Sequence, residues 1–391
     1  MKNYKYLILV IILAVAVIIG LIIYFNYPKK VATNITSTIK ETNIKEEDLT
    51  TDNTITFGDT VTTSSSNVEV NDKIVTIKKS GTYTLTGNGN YQLVVDISDD
   101  NDVCLILDNL NLTYDGVVIN GKQGDIIIYL KNNNTLEDGT TQREEDAVIY
   151  TSDDLVITGD GSLTINAKYK DAIKSTDTLL IENGIYNINA QDDGIIGKDE
   201  LKITNGTFNI TAQGDGLKTT NEEELGNMII KGGIFNLKTS SDGIDVINTL
   251  EIDGGTFDIT SKEGIEAASI IINDGNISIN ASDDGINASS DKTIGSITIN
   301  GGTIKINMGQ GDTDAIDSNG NLYIHGGEIN ITAQSPFDYD KEGVFDGGTI
   351  YVNGTKITTL TNQMMGGGMM NNGNMRNNMN KENNGMRMRM Q

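Results

Sequence analysis

The chain has 391 residues, one cysteine, one histidine, no tryptophan and a formal net charge of −25. This charge argues against a nucleic-acid-binding protein, because such proteins present basic surfaces to phosphate groups. The single cysteine excludes a disulfide framework, and only one histidine accompanies it, which makes a zinc site unfavourable.

The first predicted element is a membrane anchor, residues 1–30. Within it, Leu7 to Phe25 is an uncharged stretch of 19 residues, long enough to span a bilayer. We expect a single-pass cell-membrane protein whose N-terminus is cytoplasmic and whose remainder is extracellular. The alternative is secretion after cleavage of a signal peptide, whose apolar segment is normally shorter. A polar tether rich in Thr, Asn and Glu is predicted at residues 31–53.

A repeat dominates the next predicted domain, residues 54–360, from Asp146 onward. An acidic residue, a glycine or alanine and an aliphatic residue recur every 21 to 30 residues, followed by alternating apolar and polar positions. A period of this length indicates stacked supersecondary units, and the alternation indicates β-strands. The anchors are Asp146-Ala-Val, Asp171-Ala-Ile, Asp193-Gly-Ile, Asp215-Gly-Leu, Asp242-Gly-Ile, Glu263-Gly-Ile, Asp284-Gly-Ile, Asp314-Ala-Ile and Glu342-Gly-Val.

We therefore predict an all-β fold, a parallel β-helix with three short strands per coil, preceded by the N-terminal transmembrane helix. Residues 55–136 form its less regular first coils and a cap. Each inward position should stack on its counterpart one coil away, about 4.8 Å distant. The three predicted inward ladders are Val148, Ile173, Ile195, Leu217, Ile244, Ile265, Ile286 and Ile316; Ile181, Ile203, Ile230, Ile252, Ile272, Ile299 and Ile324; and Tyr186, Phe208, Phe235, Phe257, Ile277, Ile304 and Ile329.

The four aromatic residues that begin the third ladder suit either a sugar-stacking platform or the core. They are in phase with aliphatic residues two positions further on, such as Ile188 and Ile210. This phase favours the core. Cys104 lies in an apolar strand pattern and is predicted to be a buried thiol.

The repeat also predicts a row of outward acidic residues along one edge of the column. If the third residue of each anchor points inward, the fourth points outward. Carboxylates on adjacent coils, together with Asn, match the six to eight oxygen ligands that calcium takes. The alternative is a solvated acidic edge in which Asp before Gly serves the turn. The candidate calcium ligands are Asp215, Asp242, Asp245, Glu263, Glu266, Asp283, Asp284, Asn287, Asp314 and Asp317.

Several stretches resemble the clostridial carbohydrate-binding proteins that are built like polysaccharide lyases. These stretches are Gly81-Thr-Tyr-Thr-Leu-Thr-Gly87, Val103 to Asn109, Asp215-Gly-Leu-Lys218, Asp242-Gly-Ile-Asp245 and the Gly-Gly-Thr-Phe corners. The resemblance covers residues 55–360 and implies a right-handed parallel β-helix that binds calcium and a cellulose- or pectin-like polysaccharide.

The resemblance also raises calcium-dependent lyase chemistry, in which Lys218 or Lys262 would act as the base. In the lyases an acidic cluster of the form Asp-Asp-x-x-Asp pairs with a basic residue. Here Ser241 replaces the first acid of one such cluster, and Asn287 replaces the last acid of another. These departures place catalysis in doubt and leave metal binding intact.

The expected function is a calcium-binding, membrane-anchored, monomeric polysaccharide-binding protein outside the cell. Its sugar-binding side chains are predicted to be Asn187, Asn209, Thr211 and Lys218. A polysaccharide lyase and a structural spacer or adhesin are the alternatives. Residues 361–391, rich in Met, Asn and Gly, are predicted to be a disordered tail, with Cu(I) capture by thioethers as the alternative.

Overall fold

The structure is a computed structural model. It describes residues 37, 39, 41–42, 44–49, 53–99, 101–223, 226–311 and 313–362. The predicted membrane anchor and nearly all of the predicted tail lie outside these residues. None of the helical segments in the described ranges has the length and apolar character that a bilayer crossing requires.

The described chain forms an all-β parallel solenoid of about twelve turns, of the right-handed type. Each regular coil contributes one short strand to each of three parallel sheets, so the predicted arrangement of three strands per coil is confirmed. A 3₁₀-helix, Glu46–Asp48, precedes the first strand. The alternating apolar residues point into the space between the sheets and form one continuous core.

Sheet 1 carries the residues that follow each anchor of the repeat. Its strands are Ile74–Ile77, Gln92–Asp96, Ile119–Gln123, Ala147–Thr151, Asp171–Ser175, Ile195–Gly197, Leu217–Lys218, the first part of Ile244–Ile252, the first part of Ile265–Ile272, Ile286–Ala288, Ile316–Ser318 and Asp338–Tyr339.

Sheet 2 comes next within each coil. Its strands are Asn53–Phe57, the first parts of Gly81–Asn90 and Val103–Tyr114, Ile126–Lys131, Leu155–Thr158, Thr178–Ile181, Glu200–Ile203, Asn227–Ile230, the last parts of Ile244–Ile252 and Ile265–Ile272, Gly295–Ile299, Gly320–Ile324 and Gly343–Phe345.

Sheet 3 completes the coil. Its strands are the last parts of Gly81–Asn90 and Val103–Tyr114, Asn133–Asp138, Ser162–Ala167, Ile185–Ala190, Thr207–Ala212, Ile234–Thr239, Thr256–Ser261, Asn276–Ala281, Thr303–Met308, Glu328–Thr332 and Thr349–Val352.

Short antiparallel strands end the parallel ladders. Thr62–Thr63 pairs with the first strand of sheet 2, and Val68–Asn71 pairs with the first strand of sheet 1. At the other end, Thr355–Ile357 pairs with the last strand of sheet 3. An exposed parallel edge would template end-to-end association, and a reversed strand blocks this. The expected N-terminal cap is therefore present.

The predicted ladders hold in all regular coils. The second and third ladders pair as expected, and the first does so from Ile173 onward. Two predictions were wrong. Ile149, not Val148, pairs with Ile173, although both are buried. Glu342 is not an anchor, because the strand after it, Gly343–Phe345, belongs to sheet 2.

Both errors arise in coils where the position of the motif in the sequence does not predict which residues pair between neighbouring strands. After Ile316–Ser318 the next strand of sheet 1 is Asp338–Tyr339, and the residue immediately before this strand, Phe337, is buried in the core. The sequence there has no Asp-Gly-Ile element. The coil pairs through backbone hydrogen bonds, which do not depend on the motif.

The aromatic residues of the third ladder lie in the core, as predicted, and they are not a sugar platform. Tyr186, Phe208, Phe235 and Phe257 are fully buried. Their rings stack nearly parallel, with centroids 4.9, 4.8 and 4.5 Å apart. The spacing of the coils therefore also sets the spacing of the rings.

The described residues between 37 and 49, called here the N-terminal strap, lie along the outer face of sheet 2. Glu41 forms a salt bridge to Lys202, with Nζ to Oε1 at 3.0 Å, and Thr42 donates hydrogen bonds to Glu182. Further along, Ile44 and Leu49 pack over a small apolar cluster that contains Cys104, Ile106 and Tyr129. As its residue numbers rise, the strap passes from later coils to earlier ones. It is therefore antiparallel to the direction in which successive coils are added.

Cys104 is buried beneath the strap, as predicted. Burial raises the pKa of its thiol to about 11. The thiol therefore stays protonated and unreactive at neutral pH.

We expect Phe235→Ala to cost about 3–5 kcal/mol of unfolding free energy, because it leaves a cavity between two stacked rings. The exposed Thr260→Ala on the outer face of the same sheet is the matched control and should change stability by less than about 0.5 kcal/mol. Urea denaturation followed by circular dichroism measures both. A loss below about 1 kcal/mol for Phe235→Ala would contradict a close-packed aromatic column.

Candidate functional site

The outer edge of sheet 1 carries two parallel rows of side chains. The first row consists of the anchor residues. The second row consists of the residues three positions later, which pair in register from coil to coil as predicted. In chain order the second row is Lys174, Ile196, Lys218, Asp245, Glu266, Asn287, Asp317 and Asp338.

The anchor carboxylates support the backbone. Asp171 Oδ1 accepts a hydrogen bond from the Asp193 amide at 3.1 Å, and Asp193 Oδ1 accepts one from Asp215 at 2.7 Å. The same contact joins Asp215 to the Asp242 amide at 2.8 Å and Asp284 to the Asp314 amide at 3.0 Å. Each acid thus satisfies a buried donor on the next coil, which gives a structural reason for an acid at this position.

Lys218 lies at the centre of the acidic row. Its ammonium contacts Asp215 directly, and Nζ lies 3.3 Å from Asp245 Oδ2 and 3.6 Å from Asp193 Oδ2. Burial opposes the charged form, but the hydrogen bond to Asp215 and the surrounding carboxylates outweigh it and raise the pKa of Lys218. The side chain is held as an ammonium ion.

Lys174 forms a similar centre two coils earlier. Its Nζ lies 2.8 Å from Asp146 Oδ1 and 3.3 Å from Asp171 Oδ2. Burial raises the pKa of Asp171 to about 7 although Lys174 acts in the opposite direction. Both lysines neutralise anchor acids on two coils at once.

Carboxylate oxygens converge closely enough to hold a metal ion at two places among the described residues. One group is Asp171, Asp192 and Asp193, and the other is Asp215, Asp242 and Asp245, with one oxygen from each residue within 4.8 Å of the others. Of the ten predicted ligands, the structure brings these last three together most tightly. Two of the three already contact the Lys218 ammonium.

The later part of the row differs from the earlier part in its contacts with lysine. Among the described residues, no salt bridge joins a lysine to Asp242, Asp284 or Asp317. Burial and the charges of Asp284, Asp314, Asp338 and Asp340 together raise the pKa of Asp317 to about 7. Burial and neighbouring carboxylates likewise raise the pKa of Asp242 to about 7 and that of Asp284 to about 6.

Asn287 lies inside this later part of the row. Its Nδ2 donates to Glu263 Oε2 at 3.0 Å, while its buried Oδ1 has no partner among the described residues. Asp338 Oδ1, two coils further on, is also buried and has no hydrogen-bond partner among the described residues. Buried oxygens without a donor are costly unless a cation or water meets them. The donor set of these coils, carboxylates and an amide oxygen, fits a hard cation such as calcium.

Lys262 and Asp283 lie at the exposed side of the row. Nζ of Lys262 lies 3.0 Å from Asp283 Oδ2 and 3.4 Å from Glu263 Oε1. The hydrogen bond to Asp283 raises the pKa of Lys262. Neither Lys218 nor Lys262 is arranged as a free amine that could remove a proton, and this geometry disfavours the lyase roles considered for them.

The predicted sugar-binding residues divide between two faces. Lys218 belongs to sheet 1, whereas Asn187, Asn209 and Thr211 lie on the outer face of sheet 3. There Asn209 Nδ2 donates to Asn187 Oδ1 at 3.0 Å, and Asn236 Nδ2 donates to Asn209 Oδ1 at 2.8 Å. This amide row forms the floor of a shallow groove of about 320 Å³.

Three further polar residues line the groove beyond those predicted from the sequence. Asn189, Asn236 and Lys238 line it together with the three predicted residues. All three could have been found by extending the outward positions of the strand Thr207–Ala212 to its neighbours on either side. On sheet 1, Asp338 likewise could not be predicted from the repeat, because no repeated motif marks its coil.

The raised carboxyl pKa values predict that stability falls as pH rises. For Asp242, Asp245, Asp284 and Asp317 the folded-state pKa, about 6 or 7, lies above the ordinary value of 3.8. The folded state therefore holds these protons more tightly than the unfolded chain. The resulting stabilisation is complete below about pH 4 and is lost as pH rises through 6 to 7.

In the presence of a chelator, the melting temperature should therefore fall by several degrees between pH 5 and pH 8, as measured by differential scanning calorimetry. Asp317→Asn should flatten this slope, whereas Asp258→Asn, at an exposed position on sheet 3, should leave it unchanged. A melting temperature that rises over this range would contradict the burial of an unneutralised acidic row.

Known proteins bear on this arrangement. Residues 71–269 and 261–365 match the model of a family described as carbohydrate-binding domain-containing protein. A relative from Acetivibrio thermocellus with the same description is 32% identical over 143 residues, 32% of this chain and 47% of its own length. The chain thus spans about half the length of this curated relative.

A solved structure, described as the polysaccharide lyase-like protein from C. thermocellum in a gadolinium derivative, is also similar. It shares 24% sequence identity with a TM-score of 0.49, covering 67% of this chain and 98% of its own. The family match extends over well more than half of the chain and includes both the acidic row and the groove on sheet 3. The chain belongs to the family of carbohydrate-binding domain-containing proteins.

Proposed function

We propose that this protein binds a polysaccharide, of the cellulose or pectin type, along the outer face of sheet 3 without cleaving it. The observation that carries the proposal is the amide row Asn187, Asn209 and Asn236 on the floor of an open groove. The family to which the chain belongs supports a carbohydrate ligand.

The geometry of the row suits a polymer better than a single sugar. Adjacent strands place the amides about 4.8 Å apart along the column axis. Asn209 and Asn236 each donate one hydrogen bond to the amide of the preceding coil, and each amide keeps a further donor or acceptor for a ligand. A chain of sugars laid along the axis meets the same groups on successive coils. Each such bond contributes only about 1 kcal/mol, so affinity comes from repetition.

We propose that the later coils of sheet 1, those that follow Lys218, bind calcium. Asp284, Asn287, Asp314, Asp317 and Asp338 would supply its oxygen ligands, with Asp242, Glu263 and Glu266 on the preceding coils. Calcium would offset the mutual repulsion of Asp242, Asp284 and Asp317, to which no lysine among the described residues forms a salt bridge. The unpartnered Oδ1 of Asn287 supports this site.

The proposed location is the outer surface of the cell membrane, with the N-terminal hydrophobic stretch as the anchor and a monomeric column outside. The uncharged run from Leu7 to Phe25 supports this. The two candidate bases, Lys218 and Lys262, support binding without catalysis, since both are held as ammonium ions.

Binding to insoluble polysaccharide tests the groove. The double substitution Asn209→Ala and Asn236→Ala should weaken retention on a cellulose or pectin matrix at least about tenfold, because it removes two amides from the floor. The matched control is Asn280→Ala with Asn307→Ala, a hydrogen-bonded amide pair on the same sheet but outside the groove. Unchanged retention in the groove variant, or no retention by the unmodified protein with and without calcium, would overturn the proposal.

Calcium binding is tested separately by thermal stability. Excess calcium should raise the melting temperature at pH 7.5, because at about 100 times the dissociation constant it adds about 2.7 kcal/mol. Asp284→Asn with Asp317→Asn should remove most of this increase, and Asp258→Asn should not. Equal calcium responses in all three proteins would place the ion elsewhere or exclude it.

A further inference from the structure

One of the two convergences of carboxylates among the described residues coincides with an ammonium group. Asp215, Asp242 and Asp245 each bring an oxygen within 4.8 Å of the others. A metal ion would be expected here on distance alone. Yet Lys218 contacts Asp215 and Asp245 and also reaches Asp193, so it already meets oxygens that an ion would need.

The two cations cannot share the site. A divalent ion bound to Asp215 and Asp245 would lie within a few ångströms of the ammonium, where like charges repel strongly at low dielectric. Moving the ammonium away would break three carboxylate contacts. It would also leave a partly buried lysine without them.

The second row of sheet 1 shows the same relation elsewhere. Lys174 contacts Asp146 and Asp171 on two coils, as Lys218 contacts Asp193 and Asp215. The next coil after Lys218 places Asp245 in register with it, and the charge of the row reverses at this step. Glu266, Asn287 and Asp317 then continue the row without a lysine.

We propose that Lys218 is the resident cation of the Asp193, Asp215 and Asp245 position and keeps divalent ions out of it. The proposed calcium ligands then lie on the coils that follow Lys218. The inference rests on the proposed calcium row, which it divides into a lysine-neutralised part and a metal-binding part. Asp215 and Asp245 are then partners of Lys218 and not calcium ligands.

Calcium stoichiometry measured by isothermal titration calorimetry tests this inference. Lys218→Met should bind one more calcium ion per chain than the unmodified protein, because it removes the charge and keeps most of the side-chain volume. Adding Asp245→Asn to Lys218→Met should abolish the gain. The control is Lys262→Met, which removes an exposed lysine beside the row and should not change the number of ions.

A folded Lys218→Met protein with unchanged stoichiometry would overturn the proposal. If this variant folds only with calcium present, and then holds the additional ion, the proposal is supported. A second variant does not depend on the folding of Lys218→Met. Asp215→Asn keeps the oxygen that accepts the Asp242 amide and should leave the stoichiometry of the Lys218 protein unchanged. Loss of one ion in Asp215→Asn would also overturn the proposal.

These outcomes are separate from the test of the proposed function. Polysaccharide retention depends on sheet 3 and does not enter the ion count. If the unmodified protein bound no calcium, the proposed metal-binding row would fail. A gain of one ion in Lys218→Met would still show that the lysine occupies a cation position.

Discussion

In-register stacking of the coils is the constraint on which the rest of the structure depends. Every outward position lies about 4.8 Å from its counterpart on the next coil, so like side chains become neighbours whether or not they attract each other. Ile, Leu and Phe gain from this repetition, and the rings of Phe208 and Phe235 stack within it. Carboxylates do not, and each acid on sheet 1 needs a compensating partner.

The negative charge of the acidic side chains on sheet 1 is compensated by backbone amides at some positions and by lysine ammonium groups at others. Backbone amides meet the anchor oxygens of Asp171, Asp193, Asp215 and Asp284. Ammonium groups meet further oxygens on the earlier coils, through Lys174 and Lys218. The later coils have neither arrangement around Asp317, whose neighbours are acids. The part of the row that is proposed to bind calcium is the part where the chain supplies least positive charge of its own.

The fold could be predicted largely from the sequence because period-2 alternation determines which side chains enter the core. The ladders through Ile181 and Tyr186 needed only the spacing of the repeat. The prediction failed at Val148 and Glu342, where loops of irregular length separate the motif from the backbone register. Motif spacing cannot show which sheet receives a strand when the coil before it departs from the pattern, as at Phe337.

The sequence predicted which residues share a row on the outer face, but it could not predict which side chains contact each other. Sequence register placed Lys218, Asp245 and Asp317 in one outward row, which the structure confirms. It could not show that the Lys218 ammonium reaches Asp193 on the preceding coil and Asp245 on the following one, because this depends on side-chain rotamers. It also grouped Lys218 with Asn209, although the two lie on different faces of the column.

The N-terminal strap has a mechanical consequence. A force that pulls the chain at residue 37 away from the column acts first on the contact between Ser37 and Glu200, then on Glu41 with Lys202 and Thr42 with Glu182. These contacts open one after another, as in peeling, whereas a strand of the column would have to be sheared from both neighbours at once. Releasing the strap frees about 13 residues, roughly 45 Å of extended chain. The strap can therefore lengthen and dissipate load before tension reaches the first coils.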